Sequence, residues 1–384
     1  MRTARGFASV GGPAGRACYE VDTQEQLRSV LESGRPLVGA RLQGLDLREH
    51  EATLLERRTL QGLIVLGGQL SARLEQHLRR HGAVIFPSDP NVPIAPYRGS
   101  LYTPHELYAG LDRAGYAETF DARTYSWSQD ASIRHDAYVS VLRAIHDDSM
   151  SDALHALLSG RHAVGVMGGH ALQRGTEGFA SAADLGHQLA RGGYVVITGG
   201  GPGAMEAANL GSWAPDDATL AQALDSLSSV PTFTHGPQDW ITSAFAALHA
   251  ARATPGDEVR SVGIPTWHFG HEPPNVFSQR VAKFFSNALR EDVLLDYSTA
   301  GLVVLPGAAG TVQEIFQMVT RLYYETVDLP RPMILVGRRH WTEDIPVWPL
   351  LLRLGHDRPM GGNLHLVDDV DAVMTVLAGL DRGR

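Results

Sequence analysis

The sequence predicts a doubly wound α/β fold: a Rossmann-like parallel sheet preceded by a smaller N-terminal α/β domain. Three observations predict it. From residue 160 onward, short β-branched runs alternate with helical patterns, as expected of parallel strands covered by helices on both faces. Two of those runs end in glycine-rich turns, at 199–203 and 306–311, that open helices. At 384 residues the chain is long enough for two domains, given roughly 100–200 residues per domain.

Taken in order, residues 1–18 are rich in Gly and Ala and are expected to form a flexible leader without a signal-peptide apolar core. Strands are expected at 36–40, 62–66 and 83–86, with a charged helix at 71–80. The proline-rich stretch 87–96 favours extended chain and turns. Residues 103–160 read as mostly helical, starting at the Thr103-Pro104 cap and first-turn pair. A boundary near residue 150, at Asp147-Asp148-Ser149, gives an accessory domain 1–150 and a nucleotide-binding domain 151–384. In the second domain strands are expected at 163–167, 194–198, 261–265, 301–305 and 333–336, with 365–367 as a sixth. Helices are expected at 180–191, from Ala204, and at 240–252, 277–289 and 312–324.

Composition narrows the function classes. Hydrophobic residues make up 43% and charged residues 20%, ordinary for a globular chain with a sizeable core. A net charge of −9 argues against a nucleic-acid or anionic-membrane binder, although it leaves room for a small anionic ligand. Cys18 is the only cysteine, so neither an intramolecular disulfide nor a thiolate metal site is expected. No apolar run reaches bilayer length, and a cytoplasmic protein is the expectation. Lys283 is the only lysine, so the positive charge is nearly all arginine.

Both glycine loops fall at carboxyl ends of strands, where ligands bind in sheets of this kind. Glycine removes the side chain and allows positive φ, so backbone N–H groups at Gly199, Gly200, Gly201, Gly203, Gly307 and Gly310 can converge on an anion. The helix N-terminus adds unpaired donors. Thr311 can cap its helix or donate its hydroxyl to a phosphate oxygen. A single such loop is often no more than a tight turn, but two at equivalent strand ends point to a phosphate grip. A third turn, Gly168-Gly169, follows the first strand. Neither the G-x-G-x-x-G fingerprint nor a Walker motif is present.

Gly199-Gly200-Gly201-Pro202-Gly203-Ala204-Met205-Glu206 resembles the GGGxxGxM loop of the LOG (Lonely Guy) family. Pro306-Gly307-Ala308-Ala309-Gly310-Thr311-Val312-Gln313-Glu314 resembles its PGGxGTxxE motif, with Ala308 in place of a motif glycine. The resemblance runs from about residue 162 to the C-terminus and includes Met167-Gly168-Gly169. It implies a phosphoribohydrolase that cuts a nucleoside 5′-monophosphate into ribose 5-phosphate and free base. The length fits the larger bacterial nucleoside 5′-monophosphate nucleosidases with an extra N-terminal domain. Met205 joins the loop glycines as a binding residue by the same resemblance.

Glycosidic cleavage develops positive charge on the ribose, which a fixed carboxylate stabilises while it orients or deprotonates water. Glu314, three residues after Thr311, has the spacing for this. Thr-x-x-Glu is also a capping box; the resemblance favours catalysis. Arg290, in the pair Arg290-Glu291, occupies the region of the family's essential arginine, usually an Arg-Lys or equivalent pair. Arg280 is the fallback, and a solvated helix arginine is the plain alternative. His268, His271 and Glu272 lack metal-ligand spacing and sit before prolines, so no metal is expected. No organic cofactor is expected either. The lysine decarboxylase label that some family members carry would need a Schiff-base lysine, and only Lys283 is available.

Two other readings stay open: a nucleotide sensor that kept the pocket, and phosphoribosyl transfer to an acceptor other than water. Residues 1–150 are expected to be regulatory or architectural, with Gly67-Gly68 as a candidate effector site. A homodimer or higher homo-oligomer is expected. Its seam would lie on a helical stripe of Val281, Phe284, Phe285 and Ala288, and on Ile315, Phe316, Val319 and Leu322 of the Glu314 helix, with Tyr323-Tyr324 at its end.

Overall fold

A computed structural model describes residues 10–11, 17–86, 88–89, 91–234, 236–251, 258–268, 272–324 and 331–381. The chain divides into two compact units. One comprises Met1–Ser100 with His135–Ala153, the other Leu101–Arg134 with Leu154–Arg384. The position near residue 150 that sequence composition suggested as a boundary lies inside the helix Ala137–Leu158. Residues 101–134 cluster with the C-terminal sheet. Asp147-Asp148-Ser149 marks no linker, because polar residues sit on a continuous helix as readily as in a loop.

The first unit holds a five-stranded sheet in the order Val10–Gly11, Ala17–Val21, Ala40–Gln43, Ile64–Leu66, Val84–Phe86. Its first pair is antiparallel and the others are parallel. Within the expected leader, residues 10–11 and 17–18 are therefore paired strand, while 1–9 and 12–16 lie outside the described residues. The strand expected at 36–40 lies instead at Ala40–Gln43. Ser71 caps the helix Ala72–Arg80, its side chain accepting from the Leu74 N–H at 3.0 Å. The core is built from Tyr19, Val21, Leu27, Leu42, Val65, Leu74 and Ile85. At Gly67-Gly68 a β-carbon would meet the Tyr97 ring at 2.2 Å and Leu45 O at 2.1 Å. Both have positive φ, so turn geometry and close packing by themselves require glycine at these positions.

The second unit holds a seven-stranded, wholly parallel sheet in the order Leu364–Val367, Met333–Val336, Gly301–Val304, Ala163–Met167, Val195–Thr198, Ser261–Gly263, Arg280–Val281. The central strands are buried along their whole length, which explains why they read as continuous apolar runs rather than alternating ones. The chain winds outward in one direction from Ala163–Met167, then returns to Gly301–Val304 on its other side and winds the opposite way. The topological switch point lies between these two strands, where a ligand crevice forms at the carboxyl ends.

The segment 277–289 departs from the expected helix. Arg280–Val281 is an edge strand, and the helix begins only at Asn287, running to Tyr297. The Val281 N–H donates to Tyr102 O at 2.8 Å, the Ala282 N–H to Gly263 O at 2.9 Å, and the Phe284 N–H to Pro265 O at 3.0 Å. These long-range partners satisfy the backbone in extended form and override the local helical pattern. Val281 and Phe284 are buried in this unit, so they form no helical stripe for a second subunit. Ile315, Val319 and Leu322 are likewise core residues of the helix Ala309–Tyr324.

Candidate active site

Three loops meet at the switch point. The Gly169 N–H donates to Pro306 O at 3.0 Å, and the Ala204 N–H donates to Gly169 O at 3.1 Å. The turns after Ala163–Met167, Val195–Thr198 and Gly301–Val304 are thus tied to one another. Gly203, at φ +73°, shows why glycine is needed: a β-carbon there would lie 2.5 Å from Gly169 O. Gly168 is equally confined, with Ala204 Cβ and Leu305 Cβ within 2.9 Å of where its own β-carbon would be.

A buried polar network braces the first glycine loop from below. Thr198 Oγ1 accepts the Gly200 N–H at 2.9 Å and bonds to Asn209 Oδ1 at 2.6 Å. The Asn275 N–H donates to Gly200 O at 2.8 Å, and its Nδ2 donates to Gly201 O at 3.2 Å and to Asn209 Oδ1 at 2.9 Å. Asn275 follows the pair Pro273-Pro274 and was not singled out from sequence. Its backbone and side chain together fasten the glycine loop. Met205 is buried on the first turn of the helix Ala204–Trp213, its Sδ against Gly199.

The second loop packs differently. Thr311 is the third residue of the helix Ala309–Tyr324 and is 5% exposed. A β-carbon on Gly307 would lie 2.2 Å from its Oγ1. The glycine therefore makes room for Thr311, and Thr311 sits inside the first turn rather than at the N-cap. Gly310 faces open space. Ala308 is exposed, and its φ is not positive, so the methyl that replaces the motif glycine strains nothing. His340 Nε2 lies 3.0 Å from Gly307 O, a contact that no sequence signal announced.

Arg290 and Glu314 come together between these loops. Arg290 Nε donates to Ile264 O at 2.8 Å, and Nη1 lies 3.5 Å from Glu314 Oε1. Its Nη2 lies where a Gly199 side chain would be, 2.6 Å from a β-carbon built there. One guanidinium thus touches the first glycine loop and the carboxylate of the second motif. Arg280, the fallback, is exposed and its Nη1 donates to Gln279 O at 2.8 Å. The capping-box alternative for Glu314 is not realised, because its ion partner is Arg290 and Thr311 is no N-cap.

Glu291, not singled out from sequence, is 6% exposed and pairs with Arg290 Nη1. Burial pushes the Glu314 carboxyl up to about 8; Arg290 opposes that rise, while Glu291 and Glu272 add to it. Glu272 contacts His170, with Oε1 3.3 Å from Nδ1. His268 donates its N–H to Thr266 Oγ1, and His271 lies outside the described residues. Among the described residues no group of three or more His, Cys, Asp or Glu is placed to hold a metal ion. Beside Pro202 and Gly203 a cleft of about 280 Å³ is lined by His170, Leu172, Thr232, Phe233 and Thr234. Glu206 and Trp240 also line it; Glu206 forms a buried ion pair with Arg174, whose guanidinium lies 4.6 Å from the Trp240 ring centroid.

The only lysine lies apart from the glycine loops. Lys283 is 2% exposed, its Nζ 2.6 Å from Asp121 Oδ1, and the Trp267 indole N–H donates to the same oxygen at 2.8 Å. Burial lowers the Lys283 pKa, and Asp121 opposes this.

Comparison with known proteins follows the same two segments. Residues 161–220 match a family model described as SLOG cluster4 family, and residues 246–351 match one described as Possible lysine decarboxylase. No curated protein matches the sequence. Among solved structures, the chain is similar to the molybdenum cofactor binding protein of the phototrophic bacterium Rippkaea orientalis, with TM-score 0.34 and 16% identity over 58% of this chain and 98% of that one. It is similar also to the Moco carrier protein of Chlamydomonas reinhardtii, with TM-score 0.34 and 18% identity over 57% and 99%. No helix among the described residues is long and apolar enough to cross a membrane.

Proposed function

Because this chain is a member of the LOG-like family, we propose that it is a nucleoside 5′-monophosphate phosphoribohydrolase. The observation that carries the reading is the Arg290 guanidinium, in contact with both Gly199 and Glu314. A phosphate grip alone needs backbone donors and an arginine. It has no use for a buried carboxyl held beside that arginine, since a carboxylate repels an anion.

In this reading the 5′-phosphate takes N–H groups of the glycine loops other than those of Gly169 and Gly200, which bond to Pro306 O and Thr198 Oγ1, and Thr311 and Arg290 complete its surroundings. The ribose then lies against Glu314. As the N-glycosidic bond breaks, the anionic form of that carboxyl site supports the positive charge on the sugar and orients the attacking water. The base projects toward the cleft of His170, Leu172 and Phe233, where an apolar wall meets the hydroxyls of Thr232 and Thr234. Lys283 takes no part, since its Nζ is committed to Asp121. No metal or organic cofactor enters the scheme. The first unit, residues 1–100 with 135–153, is assigned an architectural or regulatory role, and a homo-oligomer is proposed as the active species, with a seam other than Val281, Phe284, Ile315, Val319 and Leu322, which are core.

The experiment is incubation with a panel of nucleoside monophosphates and chromatography for free base and ribose 5-phosphate. Release of both in equal amounts is expected. Tight binding of a monophosphate without turnover would make the protein a sensor. Light scattering at micromolar concentration tests the homo-oligomer, and a monomer mass with activity independent of dilution would refute it.

A further inference from the structure

Glu291 does not belong to the family motifs, yet it is built into the site. It is 6% exposed, it shares the Arg290 Nη1 nitrogen with Glu314, and its Oε2 is buried without a hydrogen-bond partner among the described residues. A buried carboxylate and a largely buried one on one guanidinium nitrogen carry one negative charge too many. Like charges so close do not both ionise in a site of low dielectric. One proton placed between them leaves a single negative charge opposite Arg290. It also supplies a donor that two ionised carboxylates lack. We propose that Glu291 and Glu314 form a carboxyl pair that shares one proton, held by Arg290, and that Glu291 is the positioning residue that keeps this proton available to the departing base.

The proposal rests on the hydrolase reading for its proton acceptor. The step balances without any further reactant. The electron pair of the N-glycosidic bond leaves with the base nitrogen, which takes the shared proton. Water adds to the anomeric carbon of ribose 5-phosphate and returns a proton to the pair. The pair thus supplies an acid and a carboxylate at once, a division that one lone glutamate cannot provide. The groups that face Glu314 are Arg290 and Glu291 from the helix Asn287–Tyr297 and Glu272 from the 272–275 segment. Glu291 and Glu272 both favour the protonated form, in line with a carboxyl held at about 8.

Two measurements on the whole protein test this. The first is infrared spectroscopy of the unliganded protein at neutral pH, reading the C=O stretch of a protonated carboxyl. The wild type should show that band, titrating away near pH 8, and Glu314→Gln and Glu291→Gln should each lose it at neutral pH. The second is turnover. Glu291→Gln should release base from AMP about 100-fold more slowly, the typical worth of a proton donor. It should cleave p-nitrophenyl β-ribofuranoside 5-phosphate, whose leaving group needs no proton, within about threefold of wild type. The alkaline limb of its pH–rate profile should move to lower pH.

A wild type that releases base but lacks the band overturns the pair. So does a Glu291→Gln variant equally slow on both substrates with an unmoved pH profile. A band lost in both variants, in a protein that releases no base from any monophosphate, upholds the shared proton and overturns the hydrolase reading and the proton's delivery.

Discussion

Arg290 Nη1 lies 3.5 Å from Glu314 Oε1, although the two residues belong to different helices on either side of the strand Gly301–Val304. The guanidinium also fills the space that a side chain at Gly199 would occupy. Each of the three positions therefore depends on the other two, and substitutions at them should be read together.

Glu314→Gln should keep nucleotide binding and lose most turnover. The amide is nearly isosteric but offers the developing sugar cation no charge and takes no proton from water. A loss of about 100-fold or more in kcat is expected, with KM within a few-fold of wild type. Steady-state kinetics on AMP measure it, and a loss below about threefold would return Glu314 to a structural role.

Gly199→Ala should separate activity from stability. The added methyl would stand 2.6 Å from Arg290 Nη2 and 2.8 Å from Met205 Sδ. Both are flexible side-chain ends, so the fold can absorb the change by moving them. Catalysis should then fall at least tenfold, since misplacement of about 1 Å can cost as much as 100-fold, while the thermal midpoint shifts by only a few degrees. Calorimetry and kinetics on one preparation decide between this and a general loss of folding.

Stability should depend on pH through Glu314. Its folded carboxyl is raised from an ordinary value of 4.5 to about 8, so between those values the folded protein binds the proton more tightly than the unfolded chain. Its contribution to stability is full below about pH 4.5, declines as pH rises toward about 8, and is constant above that. Glu314→Gln should flatten this decline and be relatively more stable than wild type at pH 9. Urea unfolding across the pH range measures the difference, and parallel curves would contradict the buried protonated carboxyl.

Lys283→Met should unfold the protein more readily without a specific catalytic defect. Among the described residues it would leave the buried Asp121 carboxylate only the Trp267 indole as side-chain partner, and breaking a buried pair from one side costs about 3–5 kcal/mol. The double variant with Asp121→Asn should recover much of that loss. Abolished turnover in a fully folded Lys283→Met protein would reinstate a chemical role for the lysine.

On the proposed reading the two loops hold the 5′-phosphate, so a nucleoside without it should be a poor substrate, since charge-assisted hydrogen bonds are the strong ones. Adenosine turned over as fast as AMP would leave the glycine loops with no phosphate to hold.

The features legible in the sequence are the local ones. The strands Ala163–Met167 and Met333–Val336 and the helix starting at Ala204 lie where periodicity and glycine turns put them, since a β-branched run followed by a glycine turn and a helix encodes its geometry within a few residues. The three glycine turns were legible for the same reason, whereas Glu314 and Arg290 were picked out by the motif resemblance, since spacing alone left Glu314 equally readable as a capping residue. Tertiary structure decided whatever depends on partners far away in the chain. Val281 and Phe284 carry a helical pattern, yet the backbone there is extended because Tyr102, Gly263 and Pro265 supply its hydrogen bonds. Residues 101–134 belong with the C-terminal sheet because Asp121 pairs with Lys283 across 162 positions. Glu291 enters the sequence reading only as the neighbour of Arg290, with no role of its own. Only burial against Arg290 and Glu314 makes its charge expensive, and that cost is set by the fold.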